Sequence, residues 1–127
     1  MVKLAVEEAE SKGTWLYAER VQWVSSELVV TELSRAIRRK AALDPSFDLA
    51  AHRHKADIIL QEVALQPLSR LVVWRAGRSF DPHLGSLDAI HLMTALELPS
   101  ISAFVTYDER QAKAARKAGL NVRSPGA

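Results

Sequence analysis

Short apolar runs alternate with helical segments along this chain, and few architectures accept that order. The clearest run is Ile101 to Thr106, where Ile101, Ala103, Phe104 and Val105 are apolar. Val21 to Ser25, Leu71 to Trp74 and a short piece at Val122 are further strand candidates. Longer segments separate them. Leu4 to Arg20 reads as helical with a break near Gly13. Ser26 is placed to cap a helix to about Ala42. Asp44-Pro45 reads as a cap and first-turn proline opening a second helix to about Leu65. Those two helices form a hairpin. Ser86 is placed to cap a helix to about Leu98, ahead of Pro99, and Glu109 to Ala118 is a helix stopped by Gly119. Strands alternating with helices predict a parallel sheet covered by helices, an α/β sandwich. Ligands on such sheets sit beyond the carboxyl ends of the strands.

The 127 residues fit one domain, 1–127, with 48% hydrophobic and 25% charged residues. The net charge of +2 and the absence of cysteine leave no disulfide framework and no thiolate metal site. An isoelectric point of about 9.2 is mildly basic and suits nucleic-acid contact through local patches rather than a uniformly cationic coat. No apolar run approaches the ~20 residues of a bilayer span. Met1 to Glu10 lacks the basic-then-apolar order of a signal peptide. The expectation is a cytoplasmic protein.

Three carboxylates stand in unusual places. Glu32 has Leu28, Val29, Arg35 and Ala36 as its helical neighbours, so it is partly desolvated unless a cation meets it. Asp88 lies in the first turn of a helix, and Asp108 lies between the strand at Ile101 to Thr106 and the next helix. Each has a purely structural explanation. An aspartate at a helix start satisfies free backbone N–H groups and suits the macrodipole. Glu32 has Arg35 within reach, or solvent.

The segments around these acids carry a resemblance. Ser25-Ser26-Glu27-Leu28-Val29-Val30-Thr31-Glu32-Leu33 is similar to the second motif of PIN-domain ribonucleases. Leu87-Asp88-Ala89-Ile90-His91-Leu92-Met93-Thr94-Ala95 resembles the third motif of the VapC-type toxins in that family. Val105-Thr106-Tyr107-Asp108-Glu109-Arg110, followed by Ala114 to Leu120, resembles the fourth. Met1-Val2-Lys3-Leu4 looks like the tail of the first motif, with its strand and aspartate absent from this sequence. The resemblance implies a PIN-like three-layer sandwich with a short, mostly parallel sheet and a protruding helical hairpin.

It also implies an endoribonuclease toxin neutralised by a VapB-like antitoxin, forming a homodimer. Asp88 and Asp108 would be ligands of Mg2+ or Mn2+, with Glu32 a ligand directly or through water. Clustered hard oxygen donors suit such cations rather than zinc. The hydroxyl of Thr106 would support the site, and Arg35 and Arg110 would meet substrate. The rival reading is a PIN-like module that binds antitoxin or RNA without cleaving it.

Other residues are less telling. His91 shares a helix face with Asp88, where a packed histidine is common. Arg35, Arg38, Arg39 and Lys40 crowd one helix end, where cations are electrostatically favoured in any case. Arg110, Lys113, Arg116 and Lys117 form a second basic cluster. Trp15, Trp23 and Trp74 read as core or interface residues. The hairpin from Ser26 to Leu65 carries more apolar surface than a solvated arm requires, and the resemblance assigns it to an antitoxin groove.

Overall fold

A computed structural model of the chain describes residues 22–124. In order the elements are β1 (Trp23–Ser26), α1 (Leu28–Leu43), α2 (Leu49–Gln61), β2 (Val63–Gln66), α3 (Arg70–Ala76), α4 (Ser86–Glu97), β3 (Phe104–Val105), α5 (Glu109–Lys117) and β4 (Val122–Arg123). The expected α/β sandwich is present, with short parallel strands flanked by helices. Among the described residues the strands form two parallel pairs: β1 with β2, and β3 with β4. The helix expected over Leu4 to Arg20, Trp15 and the Met1-to-Leu4 motif tail lie outside the described residues.

Several elements differ from the sequence expectation. The Ile101-to-Thr106 run is a strand only at Phe104–Val105, and Glu27 and Gly85, not Ser26 and Ser86, are the N-caps of α1 and α4. Leu71 to Trp74 is not a strand; it lies within α3. Ser69 caps that helix, its hydroxyl accepting the Val72 N–H at 3.1 Å. Only Val72 and Ala76, four residues apart, are buried there, which is the spacing of one helical face. Val63 to Leu65 is not the end of the second helix. It belongs to β2, where Trp23 pairs with Val63 and Ser26 with Gln66. The second helix also starts later than Asp44. Asp44 terminates α1 through its N–H to the Lys40 carbonyl, and its carboxylate closes a turn onto Ser46. Pro45 sits in that turn. Asp48 caps α2, accepting the Ala51 N–H at 3.0 Å.

Glu27 braces the end of the first strand pair. Its N–H donates to the Gln66 carbonyl at 2.9 Å, and its carboxylate accepts the Leu68 N–H at 2.7 Å. The carboxyl ends of β1 and β2 are thereby held level.

Helix α4 organises the interior. Ala89 and Met93 meet Val72 and Ala76 of α3 on one side. Leu92 and Ala95 meet Phe104 of β3 and Ala115 of α5 on another. Each large apolar side chain fully buried in this way stabilises the fold by about 1.5–3 kcal/mol. The α1–α2 hairpin has its own small core of Leu33, Ile37 and Ala56, extended by Phe47, Leu49 and Leu60. Trp23 is buried on β1, whereas Trp74 is 55% exposed. The Arg78 guanidinium lies 4.4 Å from the centre of the Trp74 ring.

Candidate active site

The acidic residues lie where strands give way to helices. Glu32 is in the second turn of α1, one helical turn beyond the carboxyl end of β1. Asp88 is in the first turn of α4. Asp108 follows β3 and is the N-cap of α5. Both aspartates thus occupy the helix-start positions that their sequence context indicated.

Hydrogen bonds tie the two aspartate segments together. Asp108 Oδ1 accepts the Gln111 N–H at 2.8 Å. A glutamine three residues after the cap normally reaches back to the cap's own N–H. Here Thr106 stands between them: its Oγ1 accepts the Asp108 N–H at 3.1 Å and donates to Gln111 Oε1 at 2.7 Å. The Gln111 amide nitrogen is left to donate to the Asp88 carbonyl at 3.3 Å. Gln111 and Thr106 are both buried, so this network is sheltered from competing water. The start of α4 and the start of α5 are held by one glutamine.

Thr106 is anchored further by its backbone. Its N–H donates to the Arg123 carbonyl, and its own carbonyl accepts the Ser124 hydroxyl at 2.6 Å. Its hydroxyl is wholly engaged inside the protein. Asp108 itself is exposed. A carboxylate has about four acceptor positions on two oxygens, so capping one N–H leaves capacity for another ligand.

Glu32 is held from the other side. Its Oε1 is hydrogen-bonded to His91 Nε2, with the glutamate side chain 13% and the histidine side chain 5% exposed. His91 is one turn along α4 from Asp88. The three acids are therefore joined in one series of contacts: Glu32 to His91, along α4 to Asp88, and through Gln111 to Asp108. Arg35 is exposed on α1, three residues from Glu32, and Arg110 is exposed on α5, two residues from Asp108.

The donor chemistry, carboxylate oxygen throughout, suits a hard cation. Among the described residues, however, no group of three histidine or acidic side chains stands close enough together to hold a metal ion.

Sequence reasoning missed Gln111 and the partnership of His91 with Glu32. The glutamine had a local sign, because Asp108-Glu109-Arg110-Gln111 has capping-box spacing. The histidine had only the need of a semi-buried glutamate for a partner, which Arg35 also met on paper.

Comparison with known proteins fits this layout. Residues 5–117 match the PIN domain. The chain belongs to the PIN-domain family. Among curated proteins this PIN domain is 32% identical over 133 residues to Ribonuclease VapC47 of Mycobacterium tuberculosis, covering 100% of this chain and 93% of that protein. It is 35% identical over 136 residues to Ribonuclease VapC35 of the same organism, covering 99% of this chain and 92% of that protein. It is 36% identical over 127 residues to Ribonuclease VapC46, covering 98% and 92% respectively. No solved structure gives a significant match. The family relationship to VapC ribonucleases accords with the second, third and fourth motifs on which the resemblance was drawn.

Proposed function

We propose that this PIN domain is a divalent-cation-dependent endoribonuclease of a toxin–antitoxin pair. The observation that carries the reading is the Gln111 network, which ties the backbone at Asp88 to the capped Asp108. Two carboxylate-bearing helix starts held by a buried, fully satisfied side chain have the preorganisation that a catalytic centre needs. The named VapC ribonucleases of similar length add the reaction class.

In this reading Asp88 and Asp108 would hold Mg2+ or Mn2+, with Glu32 joining them directly or through a water. The cation would offset the charge that builds on the phosphate as its bond to oxygen breaks. The chain's own groups do the remainder. His91 keeps Glu32 turned toward α4, Thr106 fixes the loop that presents Asp108, and Arg35 and Arg110 meet phosphates of the strand.

Partners follow from the same reading. Leu65, Leu68, Leu71, Val73 and Trp74 are exposed apolar side chains around β2 and α3, more than a solvated face needs. They support a homodimer. The exposed Val30, Leu43 and Ile58 on the hairpin support an antitoxin contact there. No helix among the described residues is long and apolar enough to cross a membrane, and a cytoplasmic location is part of the proposal.

The test is cleavage of single-stranded RNA with and without Mg2+, comparing the wild type with Asp88→Asn. The expected result is Mg2+-dependent cleavage that falls about a hundredfold or more in the variant. Equal cleavage by both proteins would remove Asp88 from the mechanism. The second reading, a module that binds RNA or antitoxin without cleaving, is favoured by the lack of a three-ligand group among the described residues. RNA binding without cleavage under any divalent cation would establish it.

A further inference from the structure

One face of α5 and the loop before α4 line an open cavity of about 800 Å3, within the size range of small-molecule sites. The α5 wall carries Arg110, Lys113 and Lys117. Their spacing of three and then four residues places them on one side of the helix. Lys117, in the last turn, has an ordinary electrostatic reason to be there. Arg110 does not. It stands in the first turn, where a cation opposes the helix macrodipole. Asp108 and Glu109, which precede it in the same turn, offset that opposition.

The opposite wall is the turn from Phe80 to Leu84, and it is built rather than loose. Phe80 has a φ of 71°, a left-handed conformation that a bulky residue adopts only when its surroundings impose it. Those surroundings are the two α4-centred apolar clusters, against both of which Phe80 packs. Asp81 then closes the turn. Its carboxylate accepts the His83 N–H at 2.8 Å, and its carbonyl accepts the Leu84 N–H at 2.9 Å. The exposed His83 ring and Pro82 face the cations across the cavity. Asp81 is the lone acid of this lining against three permanent cations, and its carboxylate is already engaged by His83. The cavity is thus cationic on one wall and offers the His83 imidazole beside Pro82 on the other, and Arg110 in its lining is two residues from Asp108.

We propose that this cavity is a substrate subsite that receives one nucleotide of the single-stranded RNA flanking the cleaved bond. Arg110, Lys113 and Lys117 contact its phosphates, and the His83–Pro82 wall lies against its base. The assignment rests on the ribonuclease reading for its substrate, but its own evidence is the shape and charge of the cavity.

The experiment measures binding of a fluorescein-labelled 2′-O-methyl oligoribonucleotide, which is not cleaved, by anisotropy across a range of KCl. The proteins are the wild type, the double variant Lys113→Gln/Lys117→Gln, and a charge-matched control, Arg39→Gln/Arg53→Gln, on the exposed face of the hairpin. Each phosphate contact on a single strand contributes about 0.7 to the slope of log affinity against log salt. The cavity variant is expected to bind about tenfold or more weakly, with its slope reduced by about 1.4, and the control to match the wild type. Equal weakening of both variants would show only a diffuse net-charge effect and would overturn the proposal. So would unchanged binding by the cavity variant. Failure of the wild type to cleave RNA, with binding still dependent on Lys113 and Lys117, would sink the ribonuclease reading and leave the subsite standing.

Discussion

His91 of α4 and Glu32 of α1 form a nearly buried hydrogen bond that joins the hairpin to the central helix. Removing the imidazole takes a sheltered hydrogen-bond partner from Glu32, and such a loss in a nearly buried site costs more than the bond itself contributes. His91→Ala is therefore expected to lower stability by about 2–3 kcal/mol. Glu32→Gln keeps an acceptor for the imidazole and should cost less than half as much. Urea unfolding midpoints for the two variants check the order; equal losses would mean that the contact matters only as packing.

Asp108 is an N-cap and, in the proposed reaction, also a cation ligand. As an N-cap it satisfies the Gln111 N–H, and an alanine there should cost about 1 kcal/mol. Asparagine caps about as well as aspartate, so Asp108→Asn should stay within about 0.5 kcal/mol of the wild type. It should nonetheless lose Mg2+-dependent cleavage, since the charge is gone. Thermal unfolding and an RNA cleavage assay on the same preparations separate the two effects. Asp108→Asn with full cleavage would confine Asp108 to capping.

Acid should destabilise the protein partly through two exposed aspartates. Hydrogen bonds from the Ser46 hydroxyl and amide hold the Asp44 pKa below its ordinary 3.8. The His83 amide, then the His83 ring, do the same for Asp81, with charge from His83 and Lys113 adding to it. In both cases the unfolded chain takes up the proton first as pH falls. The stabilisation is complete above pH 3.8 and disappears as pH drops through the lower folded value. Asp44→Asn and Asp81→Asn should each show a shallower loss of stability as pH falls from neutral through and below the ordinary carboxylate range. Unfolding curves with the same pH dependence as the wild type would contradict this.

Gly119 ends α5 with a φ of 93°, and a Cβ built there has nothing within 4 Å. Its replacement therefore tests backbone conformation without steric overlap. Gly119→Ala should cost about 1 kcal/mol, and Gly119→Asn less, because asparagine tolerates the left-handed region better. Denaturant midpoints would show the ranking, and an alanine variant as stable as the wild type would contradict it.

The legible parts of this fold were those decided within a few residues. Helices α1, α4 and α5 carry their own stop signals or periodic faces, and Gly119 and Pro99 mark where two of them end. β2 was not legible. Val63-Ala64-Leu65 continues a helical pattern, and it becomes a strand only because β1 offers a parallel edge for pairing. Leu71 to Trp74 failed for a related reason: four consecutive apolar residues have no period, and the deciding cap, Ser69, lies outside the run. The site divides in the same way. Asp88 and Asp108 were visible because a helix start is a local feature. Gln111 and His91 act across 23 and 59 positions of sequence, and no local pattern specifies such a partner.

The placement of α4 bears on how the molecule opens. Ala89 and Met93 serve one apolar cluster while Leu92 and Ala95 serve another. Opening one cluster leaves α4 packed in the other, so amide protons along Ala89 to Ala95 should be among the slowest to exchange with solvent. The α1–α2 tip, with its separate core of Leu33, Ile37 and Ala56, has no such obligation. Its amides from Ile37 to Ala56, beyond the Glu32–His91 contact, can exchange through a smaller excursion.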